Sequence, residues 1–144
     1  MSLLDPKPVD LARERRRKKI IIYSIIALLW IAVLTWYFWN WPQERKVARF
    51  MDAVVAQDLE RAYGIWQNDP EWKQHPQRYE NYPFSRFELD WGPSGEWGKI
   101  TKYDIKGSKS HGGGVIVVVN INDRAEDERL WVQKSDGTLT WSPY

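Results

Sequence analysis

The chain has 144 residues, with 21 Lys and Arg against 19 Asp and Glu, and therefore a formal net charge of +2. It has no cysteine, which excludes disulfides, thiolate nucleophiles and cysteine-ligated metals. The charge is unevenly placed: residues 1–19 carry seven basic and three acidic side chains, and residues 42–144 carry fourteen basic and sixteen acidic ones. Because a nucleic-acid-binding domain needs a basic face, the slightly acidic main domain argues against a nucleic-acid partner.

The first predicted element is an apolar helix, Ile20–Trp39. These twenty residues include no charged residue, Gly or Pro. A helix of this length spans about 30 Å, the thickness of the hydrocarbon core of a bilayer. It lacks the polar face of a soluble amphipathic helix, and no pair of small residues offers a cleavage site for signal peptidase. We therefore expect a transmembrane signal anchor at residues 20–41 rather than a cleaved signal peptide.

Basic and aromatic residues flank this segment and predict its orientation. Basic residues next to a span stay in the cytoplasm, and Trp and Tyr favour the lipid–water interface. We therefore predict a basic cytoplasmic tail (residues 1–19), a single pass through the plasma (inner) membrane, and an extracytoplasmic, periplasmic domain (residues 42–144). The topology signal consists of Arg13, Arg15, Arg16, Arg17, Lys18 and Lys19, and the interface belt consists of Trp36, Tyr37, Trp39 and Trp41.

Small and hydroxylated residues form a stripe along the apolar helix. At about 100° per residue, Ser24, Ala27, Ile31 and Thr35 share one face. Small residues let membrane helices approach closely, so this stripe is a candidate docking face for another membrane helix. The alternative is a lipid-facing span whose small residues are incidental, and no GxxxG motif supports self-pairing.

Helical periodicity predicts two helices at the start of the domain, and we expect a short third helix at residues 83–90. The first follows Pro42, which suits the first turn of a helix, and the second starts after Asp58, a favourable N-cap residue. The apolar residues at helical spacing are Val47, Phe50, Met51, Val54 and Val55 in the first helix and Leu59, Ala62, Tyr63 and Trp66 in the second.

From Thr101 the apolar residues alternate, which is typical of strands. Val115–Ile121 is rich in β-branched residues and predicts a central strand covered on both faces. The glycines of residues 110–114 and the Ser-Asp-Gly of residues 135–137 predict turns. The expected fold class is α+β: one N-terminal transmembrane helix, then two or three helices packed on a curved antiparallel sheet of about four strands.

The order of these elements resembles known folds. A helix, then VVAQDLERAYGIW with Asp58 starting the second helix, then a long curved sheet is similar to the nuclear-transport-factor-2-like (NTF2-like) and cystatin-like α+β folds over residues 43–144. These families include enzymes, ligand binders and interaction domains, so the resemblance implies a fold and leaves the function open. GSKSHGG, Gly107–Gly113, before an apolar strand is also similar to cytochrome oxidase assembly proteins, which have a short inner tail, one span and a small α+β domain.

Catalytic and metal-binding motifs are not found in the sequence. His75 and His111 each lack a neighbouring His or Cys, and we expect both to be surface residues. No nucleophile elbow, phosphate loop, G-x-G-x-x-G or HExxH motif occurs. The acidic residues between 123 and 128 lack the spacing of a calcium loop, so a solvated turn is the preferred interpretation. We therefore predict no catalytic, cofactor-binding or metal-binding residue.

Seven aromatic residues of the domain are the most informative set. Cup-shaped α+β folds can hold an apolar ligand between sheet and helices. The same rings, each burying about 150 to 250 Å², could equally fill that space. A filled core is the preferred interpretation. The residues that line the cup or fill the core are Tyr63, Trp66, Phe84, Phe87, Trp91, Trp131 and Trp141.

These patterns predict a non-enzymatic single-pass membrane protein. Its outward domain would act as an accessory or assembly subunit of a membrane protein complex, with membrane lipid and other membrane proteins as partners and with no cofactor. A homodimer is left open. Two alternatives are a membrane-tethered cup that binds or acts on a small apolar ligand, and an assembly factor of the cytochrome oxidase type.

Overall fold

A computed structural model describes residues 10–144 and confirms the α+β class. The chain divides into two compact units, with the boundary between Trp39 and Asn40. The first unit contains α1 (Leu11–Tyr37). The second contains α2 (Trp41–Val55), α3 (Leu59–Trp66), two 3₁₀ helices (Trp72–Gln74 and Pro76–Tyr79), α4 (Phe84–Trp91), β1 (Tyr103–His111), β2 (Gly114–Ile121), β3 (Asp127–Gln133) and β4 (Leu139–Trp141).

The first helix, α1, is exposed along its 27 residues. It begins well before the apolar segment because Asp10 caps it, its Oδ1 accepting the backbone N–H groups of Ala12 and Arg13 at 3.2 Å. The basic run is therefore helical and continuous with the apolar segment, and Lys18 Nζ lies 2.9 Å from Glu14 Oε1. Among the described residues, one helix is long and apolar enough to cross a membrane, and α1 carries its apolar part.

The helices of the second unit follow the predicted apolar spacing. α3 starts after Asp58, as predicted, and Asp58 Oδ1 accepts the backbone N–H of Arg61 at 3.2 Å. The predicted third helix is α4. The buried apolar residues of these helices are Val47, Phe50, Met51, Ala53 and Val54 in α2, Ala62, Tyr63 and Trp66 in α3, and Phe87 and Trp91 in α4, whereas Val55 and Leu59 are half-buried.

The four strands form one antiparallel sheet in the order β1-β2-β3-β4. β2 is central, as predicted, and it buries Val115, Val117 and Val119 completely. Its other face, with Ile116 and Val118, is only half-buried. The expectation that both faces are covered is therefore wrong for this second face, because the helices supply a core on one side of the sheet only.

The edge strand β1 is longer than the predicted alternation. It continues to His111, which pairs with Gly114, so a two-residue turn remains and Gly112 adopts a φ of +52° there. The register shifts between Ile105 and Gly107, which marks a β-bulge. A bulge bends its strand and increases the local twist, so it contributes to the curvature of the sheet.

Hydrogen bonds fasten α2 to β1. Tyr103 Oη donates to Asp52 Oδ1 at 2.7 Å and to the carbonyl oxygen of Ala48 at 3.1 Å. Further along the strand, Ser108 Oγ donates to the carboxylate of Glu44. Burial and the hydrogen bond to Asp52 raise the pKa of Tyr103 above its ordinary value. These bonds fix the position of α2 on the sheet.

Candidate functional site

Aromatic rings occupy the space between the helices and the sheet. The ring centroid of Phe50 lies 4.8 Å from that of Trp91, 5.3 Å from that of Trp66 and 6.1 Å from that of Phe87. None of these four side chains is more than 3% exposed. The contacts with Trp91 and Phe87 are edge-to-face, an arrangement that is favourable beyond the apolar area that it buries. The interior is therefore packed by rings, three of which belong to the predicted aromatic set.

Tyr63, also in the predicted set, extends this packing toward the loop after α3. Its ring centroid lies 4.8 Å from that of Trp72 and 5.5 Å from that of Phe84, which is half-buried. Its hydroxyl donates to the carbonyl oxygen of Tyr82 at 2.6 Å. Burial raises the pKa of Tyr63 above its ordinary value. The segment between α3 and α4 is thus held to the core by aromatic contacts that its sequence did not predict.

Trp131, the sixth member of the set, lies outside the core, contrary to the prediction. It stands between Leu130 and Val132 on β3, and both of these are buried. Because side chains alternate along a strand, Trp131 points to the opposite face. Its ring centroid there lies 6.4 Å from that of His111 and 5.6 Å from that of Tyr144. The alternation of Leu130 and Val132 was the signal in the sequence for this placement.

Trp141, the last member of the set, forms a stack at the margin of the core. Its ring plane lies within 2° of that of Trp91, with centroids 4.9 Å apart. The ring of Trp97, which was not predicted, lies 4.8 Å from Trp91 and 5.3 Å from Trp141. Trp141 is 37% exposed, so the stack runs from the interior to the surface. No periodic pattern indicated Trp97, because it lies in the loop between α4 and β1.

Beside this stack lies a surface cavity of about 270 Å³, here named the tryptophan pocket. Two indoles, three carboxylates and one leucine side chain line it. Its lining residues are Leu89, Asp90, Glu96, Trp97, Glu128 and Trp141. Within residues 10–144, no group of three or more His, Asp or Glu side chains is placed to hold a metal ion. The three carboxylates are therefore spread around the pocket rather than gathered on one point.

The carboxylates of the tryptophan pocket differ in their partners. Asp90 Oδ2 accepts the hydroxyl of Tyr82 at 2.8 Å, and Asp90 Oδ1 lies 3.5 Å from Arg86 Nε. Burial and the hydrogen bond to Asp90 raise the pKa of Tyr82 above its ordinary value. In the part of the chain that the structure describes, Glu96 and Glu128 make no ion pair and no side-chain hydrogen bond. Neither of these two carboxylates is thus paired directly with a cation of the domain.

A second concavity, here named the helix groove, has a volume of about 680 Å³. Its charges are mixed, and part of them are already paired, since Lys73 Nζ lies 2.5 Å from Glu60 Oε2. Such a surface can make polar contacts, but it does not favour a cationic partner over an anionic one. The groove is lined by Arg49, Asp58, Glu60, Arg61, Gly64, Ile65, Pro70, Glu71, Trp72, Lys73 and Gln74.

His75 is half-buried and paired, which differs from the surface position that we predicted. Its Nε2 hydrogen-bonds the carboxylate of Asp69, which also accepts the hydroxyl of Tyr79 at 2.5 Å and the backbone N–H of Glu71 at 3.0 Å. The Tyr79 and His75 hydrogen bonds hold the pKa of Asp69 below its ordinary value, against the effect of burial. Burial and Asp69 raise the pKa of Tyr79 to about 12. All of these residues lie between α3 and α4, so their hydrogen bonds order that segment.

The residues predicted to act in the membrane lie on exposed surfaces. The basic residues and the small-residue stripe are exposed on α1, where Thr35 Oγ1 donates to the carbonyl oxygen of Ile31 at 2.7 Å. Its hydroxyl is therefore satisfied within its own helix. Trp36, Tyr37 and Trp39 are exposed in the first unit. Trp41 instead begins α2 in the second unit, where the guanidinium of Arg45 lies 5.0 Å from its ring centroid.

Comparison with known proteins identifies no relative. The chain matches no protein-family model, no curated protein and no solved structure.

Proposed function

We propose that this chain is a single-pass membrane protein whose α+β domain holds a partner protein, as an accessory or assembly subunit of a membrane complex. The observation that carries the proposal is the filled aromatic interior. Phe50, Trp66, Phe87 and Trp91 occupy the space in which a cup-shaped fold would hold a ligand. The tryptophan pocket and the helix groove lie at the surface instead, where another protein can reach them.

The membrane part of the proposal rests on α1. Its apolar length supports a single span, and the basic run at its start supports a cytoplasmic N-terminus. The α+β domain is then periplasmic, on the far side of the plasma (inner) membrane. The order of helices followed by a four-stranded antiparallel sheet supports kinship with the NTF2-like or cystatin-like folds.

The two alternatives differ in how the structure bears on them. A small apolar ligand inside the domain would have to displace at least one of the packed rings, so nothing in the described residues favours this function. An assembly role of the cytochrome oxidase type is a special case of the partner-holding proposal. Its sequence support is Gly107–Gly113, which forms the second half of β1 and the following turn.

Co-purification from native membranes tests the proposal. The full chain is tagged at its C-terminus, expressed at native abundance, extracted in mild detergent and analysed by mass spectrometry. We expect one or a few membrane proteins in near-stoichiometric amounts. Cytochrome oxidase subunits among them would identify the special case.

Two matched controls show which part of the chain holds the partner. One control keeps residues 1–39 and replaces the domain with an unrelated soluble domain, and the other keeps residues 40–144 behind an unrelated signal anchor. The proposal expects the partner with the second control and not with the first. A chain that purifies alone contradicts it, as does a partner retained by residues 1–39 only.

A further inference from the structure

We propose that the tryptophan pocket binds an arginine side chain of a partner polypeptide, an inference that rests on the proposed function and names the chemistry of the partner. The pocket joins two features that a guanidinium requires: a partly exposed indole and carboxylates around it. Both are formed by residues from distant parts of the chain. The chemistry of these lining residues indicates which side chain the pocket can bind.

The aromatic wall is already fixed in place. Trp141 stacks on Trp91 at 4.9 Å and on Trp97 at 5.3 Å, and 37% of its surface stays exposed. Trp91 is itself fully buried, so the stack is anchored in the core. A planar cation that lies against such a ring gains a cation–π interaction without first ordering the ring.

The carboxylates supply the charge complementarity. Glu128 stands on the core-facing side of β3, two residues before the buried Leu130, whose cross-strand partner is Trp141. This half-buried carboxylate and that of Glu96 have no cation partner among the described residues. A half-buried charge without a partner is unfavourable, and a cation entering the pocket would relieve this cost.

The spread of the acceptors favours arginine over other cations. A metal ion needs its ligands converged on one point, and the described residues offer no such group. A lysine ammonium is a compact charge, whereas guanidinium presents five donors in one plane and stacks on aromatic rings. Asp90, already partly satisfied by Tyr82 and Arg86, adds a third acceptor at the rim. The cavity of about 270 Å³ has room for one such side chain.

The test uses the full chain in detergent micelles with its tryptophans labelled with ¹⁵N. The probe is N-acetyl-arginine methylamide, and the matched neutral probe is N-acetyl-citrulline methylamide, in which urea replaces guanidinium. N-acetyl-lysine methylamide is the third probe. We expect the arginine probe to shift the indole signals of Trp97 and Trp141 saturably, with a dissociation constant on the order of millimolar.

Isosteric variants locate the site. Glu128→Gln and Glu96→Gln each remove one pocket charge, and each should weaken binding of the arginine probe by about fivefold. Glu126→Gln removes the same charge from the exposed turn between β2 and β3, outside the pocket lining, and should leave binding unchanged. Thermal unfolding of each variant shows that it is folded. In the co-purification experiment, Glu128→Gln should lose the partner that Glu126→Gln retains.

The outcomes separate this inference from the proposed function. Equal shifts with the citrulline probe, equal affinity for the lysine probe, or no saturable shift with arginine would each overturn the arginine assignment. So would a loss in Glu126→Gln as large as that in Glu128→Gln. None of these results depends on whether a partner exists. A chain that binds the arginine probe but purifies alone contradicts the proposed function instead.

Discussion

At Gly114 the sheet leaves no room for a side chain. A Cβ there would lie 2.3 Å from the ring of Trp131 and 2.7 Å from the carbonyl oxygen of Val132. The Trp131 ring can turn away, but the carbonyl belongs to the neighbouring strand and can move only if the pairing is disturbed. At the adjacent Gly113, the nearest atom would be 3.5 Å away, on the side chain of Gln133, which is an ordinary contact.

Gly114→Ala should therefore lower the free energy of unfolding by about 1–3 kcal/mol, as overpacking does elsewhere. Gly113→Ala is the matched control one residue earlier, and it should change the free energy of unfolding by no more than about 0.5 kcal/mol. Urea unfolding of the full chain in detergent, followed by circular dichroism, measures both. Equal losses in the two variants would show that the contact with Val132 does not limit the packing.

The hydroxyl of Tyr79 makes stability depend on alkaline pH. Its folded-state pKa of about 12 lies above the ordinary value of 10.0, so the unfolded chain loses this proton first as the pH rises. The contribution is fully present below pH 10 and is lost progressively between pH 10 and about 12. Tyr79→Phe should remove this part of the slope, which amounts to at most one proton per molecule. Tyr63, Tyr82 and Tyr103 also have raised pKa values and contribute to the remaining slope.

Urea unfolding of the wild-type chain and of Tyr79→Phe at intervals from pH 9 to pH 12 measures this slope. We expect the two curves of free energy against pH to run parallel below pH 10 and to converge above it. Parallel curves over the whole range would mean that burial and Asp69 do not raise the pKa of Tyr79.

At the scale of elements, α3 depends on its cap more than the longer helices do. It has eight residues, and helices this short are marginal without packing and capping. Asp58→Ala removes the acceptor for the N–H of Arg61 and should lower the free energy of unfolding by about 1 kcal/mol. Asp58→Asn keeps an acceptor at the same place and is the matched control, expected to stay close to wild type. Thermal unfolding distinguishes the two, and a loss in Asp58→Asn as large as in Asp58→Ala would argue against capping.

Elements with a local signal could be predicted from the sequence. The apolar spacing in α2 and the cap at Asp58 led to the correct helices, and the turn at residues 135–137 led to the correct final hairpin. The second half of β1 could not be predicted, because the bulge before Gly107 breaks the alternation. Trp131 is large and apolar, as core residues often are, but its neighbours Leu130 and Val132 take the core side of β3, so its ring lies on the other face.

The candidate site could be predicted only in part, because it is assembled by tertiary structure. Asp90 comes from α4, Trp97 from a loop, Glu128 from β3 and Trp141 from β4. No spacing in the sequence relates these positions. The pairing of His75 with Asp69 was likewise hidden in an irregular segment. Composition identified the aromatic richness of the domain, but only the fold shows which rings fill the core and which reach the surface.

At the scale of the whole chain, the proposed orientation in the membrane should depend on the basic run. Three basic residues follow the apolar segment closely and favour the opposite orientation: Arg45, Lys46 and Arg49. When the six topology residues are replaced by neutral ones, the basic residues after the apolar segment outnumber those before it. A substantial fraction of chains should then insert in the opposite orientation. A C-terminal reporter that is active on one side of the membrane measures this fraction.

The control for orientation is the double variant Arg45→Gln, Arg49→Gln, which should keep or increase the wild-type orientation. Lys46 is left unchanged because its Nζ donates to Asn68 Oδ1 at 2.6 Å, and replacing it would remove this contact between α2 and the segment after α3. If the six replacements leave the reporter on its original side, the basic run is not the topology signal. A chain that alkaline carbonate releases from the membrane would contradict the anchor itself.

The near-parallel indoles of Trp91 and Trp141 also give the domain an optical signal of its own. Indoles this close couple their electronic transitions, and the pairs of Trp141 with Trp91 and with Trp97 contribute to the ultraviolet circular dichroism only while β4 holds Trp141 in the stack. Trp91 is in the core and Trp141 is on the last, three-residue strand. Loss of the Trp141 contribution while that of the Trp91–Trp97 pair remains would therefore report fraying of β4 separately from global unfolding, without any attached label.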